Sequence, residues 1–302
     1  MRARLASVAA ALVLGVACSS GGDADGGADG GPKDAAADRP ALDVYTPTCE
    51  QAKACDGDPP SMGAQCVVSF DATLADVGGA PITSEKLFLC GTNLCTSPFQ
   101  PDAQGKIHEW VCAWFAQAAA KYIGGVKFAS FAAAVPQGSS VTVPPLTLVA
   151  LPATGVDLPA GGGAVTSSNV TLTIAASSVT FDPTEPNDVD LHRFRAVQVP
   201  TAKAPPGTPA GVEVVFGLGP VNAALKPAAK LTVPNVAGWP ANTAVKLYLN
   251  GVDAFDAVPP VPYGVWGAIG TGHVSADGMT VSTDPGNGNG LPMIGMVGLA
   301  KM

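Results

Sequence analysis

Apolar residues in this chain gather in short runs, and the gaps between runs are filled with Gly, Pro, Asn and Asp. Val170-Thr171-Leu172-Thr173-Ile174 alternates apolar with polar side chains, the period of a strand that buries one face. Similar runs, rich in Val, Phe and Leu, predict strands over Cys66–Phe70, Lys86–Cys90, Ile107–Phe115, Val126–Phe131 and Leu146–Leu151. A second series predicts strands over Phe194–Val199, Val212–Leu218, Lys230–Val233, Val245–Leu249 and Met293–Leu299. Asp277-Gly278, between His273–Ala276 and Met279–Thr283, reads as a tight hairpin turn. Ala116–Tyr122 reads as a helical turn instead. The pattern as a whole predicts an all-β fold of two β-sandwich domains, 46–151 and 165–302, joined by a Gly/Pro-rich linker at 152–164.

Cysteine placement supports the same division. Apart from Cys18, the cysteines are Cys49, Cys55, Cys66, Cys90, Cys95 and Cys112, and nothing after Cys112 contains one. An even number within one segment implies disulfides in an exported chain, with the pairing left open. No C-x2-C pair occurs, and the histidines are only His108, His192 and His273, so a zinc site has no support in the spacing. With 36 glycines, 28 prolines and only 13% charged residues, the composition suits a turn-rich β protein. A formal net charge of −8 and the lack of any basic stripe argue against a nucleic-acid partner.

The first eighteen residues, MRARLASVAAALVLGVAC, set Arg2 and Arg4 before an apolar run of thirteen residues, Leu5 to Ala17. A membrane-spanning helix needs about 20 residues. The run is short for that and fits the apolar region of a signal peptide, residues 1–17. The segment resembles a bacterial lipoprotein signal, although Gly15 stands where that signal usually has Leu. The resemblance implies cleavage before Cys18, a diacylglycerol on its thiol and usually a third chain on its amine. One chain alone anchors only marginally, so several are needed for a stable hold. Ser19 after the cysteine implies the outer membrane, at its periplasmic face or at the cell surface. The alternative is an ordinary secretory signal cut near Ala17, which leaves Cys18 as a free thiol. Residues 18–45, dominated by Asp and Gly, have too little apolar mass to offset ordering entropy and predict a disordered acidic tether.

Two further resemblances concern the folded part. The run GAPITSEKLFLCGTNLCTSPFQPDAQGKIHEWVCAW, with its turn Pro101-Asp102-Ala103-Gln104-Gly105-Lys106-Ile107, resembles the carboxypeptidase-regulatory or transthyretin-like sandwich. Pro101 replaces the Thr of that family's turn. The later order VTLTIAASSVTF, VEVVFGLGP, LKPAAKLTVPN, AVKLYLNG and WGAIGTGHVSADGMTVSTDPG is similar to ZU5-like sandwiches, with looser spacing. Both resemblances imply accessory or protein-contact domains and bring no active site with them.

Candidate chemistry is sparse. Neither a G-x-S-x-G elbow nor an H-E-x-x-H pair is present. Asp182, Glu185, Asp188 and Asp190 fall within nine residues with Asn187 and could supply oxygen ligands to calcium, or form an exposed loop stiffened by Pro183 and Pro186. His108 and His273 read as strand residues facing solvent. Trp110 and Trp114, four apart, read as sharing one packed face, and Trp239, Tyr263 and Trp266 as plugs for a sandwich end or as a sugar-stacking platform. The expected role is that of a non-catalytic, lipid-anchored cell-envelope protein with a structural or protein-binding task. It has no cofactor, and its partners are the membrane and an unknown envelope protein or glycan. A carbohydrate- or calcium-dependent binding module is one alternative, and a hydrolase with an unrecognised site is another.

Overall fold

The computed structural model describes residues 55, 59, 61–181, 189–253, 260–284 and 289–302, and its regular structure is all β apart from a 3-10 turn at Thr201–Lys203. The first seven strands are β1 (Gln65–Ala75), β2 (Phe88–Cys90), β3 (Lys106–Phe115), β4 (Ala119–Tyr122), β5 (Phe131–Ala134), β6 (Ser140–Thr142) and β7 (Leu146–Thr147). β1 lies between antiparallel β3 and parallel β6, with β7 continuing alongside its end, and β2-β4-β5 forms a second small sheet. Between them lie Phe70, Leu74, Leu87, Ile107, Phe115, Tyr122 and Phe131, all nearly inaccessible to solvent. Burying a side chain of this size contributes roughly 1.5–3 kcal/mol.

The remaining strands are β8 (Gly163–Ser167), β9 (Val170–Ile174), β10 (Val179–Thr180), β11 (Arg195–Val199), β12 (Val212–Gly219), β13 (Ala224–Pro234), β14 (Ala244–Asn250), β15 (Trp266–Val274), β16 (Thr280–Thr283), β17 (Leu291–Met293) and β18 (Val297–Lys301). They form a large sheet in the order β11-β12-β18-β14-β15-β16-β13-β9-β8, with β10 and β17 also paired to β13. The sheet wraps around one core that takes residues from nearly every strand, among them Leu172, Phe216, Leu231, Leu247, Val281 and Leu299. Its first and last strands approach each other, where the Ala196 N–H donates to the Ser167 hydroxyl at 3.1 Å.

β12 and β18 explain how the two halves meet. Val214, Phe216 and Leu218 face the core of the large sheet, while Val212 and Val215 face the core of the first half, together with Met296 and Ala300. A strand covered on both sides reads as a near-continuous apolar run, and VEVVFGLG and VGLA are such runs. The buried Asn250 side chain adds a polar lock: its Oδ1 accepts from the Ala132 N–H and its Nδ2 donates to the Ala132 carbonyl, both at 2.8 Å. The Ala134 N–H reaches the Gly264 carbonyl at 3.1 Å. All described residues belong to one compact unit.

Several elements differ from the sequence expectation. Ala119–Tyr122 is a strand rather than a helical turn, because it pairs with both β2 and β5, where Ala119, Ala120 and Tyr122 are buried. The expected strand at 126–131 begins at Phe131 instead, since Gly124 and Ser130 hold the preceding residues in a turn. The stretch 152–164, expected as a linker, is tied down. Val156 pairs with Phe194, the Pro152 carbonyl accepts from buried Arg195 at 3.2 Å, and Gly163 opens β8. Gly217 of β12 lies so close to Ala129 that an added methyl group would collide with it. Gly217→Ala is therefore expected to destabilise the fold by about 1–3 kcal/mol through overpacking. Chemical denaturation checks this, and the loss should appear in one cooperative transition.

Candidate functional site

The face of β3-β1-β6 that points away from the core is built from the turn before β3. The Asp102 carboxylate accepts the Gln104 and Lys106 N–H groups, each at 2.8 Å, and Gly105 takes φ +74, which a side chain adopts poorly. This turn sets the register in which Lys106, His108 and Trp110 project outward while Ile107 is buried. Opposite them on β1 stand Thr73, Asp71 and Ser69, and beyond β1 stand Thr142 and Ser140 of β6. His108 donates from Nδ1 to the Asp71 carboxylate at 2.6 Å, and its ring meets Trp110 edge-on at 5.9 Å. Trp110 is 38% exposed. A shallow depression of about 210 Å³ opens beside the pair, lined by Asp71, Thr73, Lys106, His108, Thr142 and Val143.

The position of Trp110 departs from expectation. The β1–β3 register slips between Val67 and Ser69, where Cys112 adopts φ +48. The extra residue on β3 breaks the i, i+4 relation, so Trp110 lies opposite Ser69 and Trp114 opposite Cys66. A bulge leaves little trace in a run as apolar as WVCAWF. Trp239 and Tyr263 are buried, the first donating to Glu213 at 3.1 Å, and Trp266 is half-buried against the first core. None of these three forms an exposed platform.

A second His–Asp pair lies on the large sheet. His273 donates from Nδ1 to Asp284 at 2.6 Å, and the Thr271 hydroxyl donates to the other oxygen of Asp284 at 2.8 Å. Ser282 stands opposite His273, but its hydroxyl bonds to that of Thr232 at 2.8 Å. Thr166 and Thr171 bond in the same way across β8 and β9. Both oxygens of Asp284 and these four hydroxyls are thus satisfied within the face.

The other residues singled out in the sequence fall as follows. Cys55 is bonded to Cys66 and Cys90 to Cys95, and Cys112 is also in a disulfide. Cys18, Cys49, Asp182, Glu185 and Asp188 lie outside the described residues. Asp190 accepts from Arg195 at 2.7 Å and lies 3.5 Å from Arg193, so its carboxylate faces two guanidinium groups, which compete with any cation. His192 stacks on Phe181 with ring centroids 3.9 Å apart. Among the described residues no group of three or more His, Cys, Asp or Glu side chains is placed to hold a metal ion, and no helix is long and apolar enough to cross a membrane.

No known family matches the sequence, and no curated protein matches it. Among solved structures, the chain is similar to one from Bacteroides uniformis, of a protein proposed to bind carbohydrate. The two share 8% identity over 77% of this chain and 78% of that one, at a TM-score of 0.20. A likeness of that size carries no argument about fold or ligand.

The His273–Asp284 pair yields a pH prediction. Burial opposes the charge on Asp284, and the hydrogen bonds from His273 and Thr271 outweigh it, holding the carboxyl below its ordinary range. A carboxyl whose pKa is lower folded than unfolded stabilises the fold above the unfolded value, near about 3.9. That contribution disappears as pH falls through the folded value. Asp284→Asn is expected to flatten the acid branch of the stability curve below about pH 4, as read by urea denaturation across pH.

Proposed function

We propose that this chain is a non-catalytic, lipid-anchored protein of the bacterial cell envelope, with a structural or binding role. Cys18 holds it in the outer membrane, and residues 18–45 act as an acidic tether for a transthyretin-like segment followed by a ZU5-like one. The observation that carries this reading is the state of the cysteines: every described one is in a disulfide. Disulfides persist in oxidising compartments outside the cytosol. All the described cysteines lie between Cys55 and Cys112, so the cross-links fall within the first half of the fold. Export agrees with a chain that opens on two arginines, an apolar run and a cysteine at its end.

A binding role is favoured over catalysis by the arrangement of the two histidine–aspartate pairs. Each lies on an open sheet face with its imidazole more than half exposed, away from any cleft that excludes water. The expected outcome in cells fed radiolabelled palmitate is label on the wild-type protein and none on Cys18→Ala. A wild-type protein that takes up no label overturns the anchoring reading.

A further inference from the structure

We propose that the outer face of β3-β1-β6 binds a neutral oligosaccharide, one sugar ring lying against Trp110 and the next seated among Asp71, His108 and Thr142. Three observations converge on this face. First, Trp110 is 38% exposed on a strand whose neighbouring Ile107 is buried. Leaving an indole in water forgoes burial that would stabilise the fold, and an exposed aromatic face suits the C–H side of a pyranose. Second, His108 is fixed twice, by the 2.6 Å hydrogen bond to Asp71 and by its edge contact with Trp110, so the polar groups beside the ring are pre-organised. Third, this face leaves hydrogen-bonding groups free. The second oxygen of Asp71, Nε2 of His108 and the hydroxyls of Thr73 and Thr142 have no partner among the described residues. On the large sheet's polar face both oxygens of Asp284 are bonded, Thr232 pairs with Ser282 and Thr166 pairs with Thr171.

The chemistry also selects the ligand class. Asp71 and Lys106 balance each other in a chain of net charge −8, which disfavours anionic polymers. One aromatic ring among polar groups is too little apolar surface for the core of a stable protein interface. Free donors and acceptors of both kinds, beside one flat ring, match vicinal hydroxyls on a neutral sugar. The depression, at about 210 Å³, is smaller than the roughly 300–1,000 Å³ of closed ligand pockets. It therefore seats one ring, and because Trp110 does not line it, the ring against Trp110 is the neighbouring one of the same chain.

This inference sharpens the binding role proposed above without depending on the lipid anchor. Its test uses the full-length protein in detergent on an array of neutral glucan, mannan, galactan, xylan and chitin oligosaccharides, with uronate oligosaccharides alongside, and calorimetry on the strongest hit. The expected result is binding to a neutral oligosaccharide. Trp110→Ala should weaken it by about tenfold or more, as for a truncated aromatic anchor. Asp71→Asn should weaken it too, Trp110→Phe should restore part of it, and His273→Ala on the other face should leave it unchanged. Binding to no sugar, binding to uronates alone, or equal binding by wild type and a folded Trp110→Ala would overturn it. Palmitate labelling of the same preparation reports on the anchor separately.

Discussion

The side-chain amide of Asn250 does for β5 what a neighbouring strand would do. It accepts the Ala132 N–H and donates to the Ala132 carbonyl, 118 residues away in sequence, in a site with almost no access to water. Unmade, those backbone groups would each leave a buried polar atom without a partner, at a cost of about 1–3 kcal/mol apiece. Because the amide supplies one donor and one acceptor, the contact also fixes where β5 lies along β14. The Gly264 carbonyl then takes the Ala134 N–H, and the Tyr263 hydroxyl reaches the Ala119 carbonyl at 3.4 Å. The open edge of the β2-β4-β5 sheet is thereby closed by the second half of the chain, which removes an exposed edge that would otherwise invite pairing with another molecule.

Apolar packing continues what that contact begins. β12 and β18 carry side chains into both cores, so neither half buries its hydrophobic surface without the other. Gly217 allows the approach of Ala129, and the buried guanidinium of Arg195 ties the 152–157 stretch back to β11 through the Pro152 carbonyl. The disulfides add cross-links to the first half, at Cys66 of β1, Cys90 of β2 and Cys112 of β3. The outward face of β3-β1-β6 thus sits on a layer held from behind by the whole unit, and rigidity of that kind lets a shallow polar surface act without a deep pocket.

Much of this was legible in the sequence, and the gaps have physical causes. Alternation marked β9, and Asp277-Gly278 marked the β15–β16 hairpin, where the Asp277 carboxylate accepts the Ser275 hydroxyl and the Met279 N–H. The all-β fold followed from such signals. The alanine-rich run Ala116–Tyr122 suggested a helical turn because propensity is local, whereas burial between two strands is decided by residues far away. The segment 152–164 looked like a linker because Gly and Pro punctuate, and nothing in its composition announces the Arg195 contact. The candidate face was only half visible. His108 read as solvent-facing, which it is, but Asp71 meets it across strands, and the bulge at Cys112 that separates Trp110 from Trp114 is silent in the residues. The lack of a strong motif left no marker for a face built from four side chains on three strands.

The central claim is that the described residues form one cooperative unit locked by Asn250, and native-state amide hydrogen exchange tests it most directly. The account predicts that the amides of Ala120, Ala132 and Leu247, in β4, β5 and β14, exchange only through global opening and report the same free energy. A β2-β4-β5 sheet whose amides exchange at a distinctly lower free energy than those of β14 would contradict it.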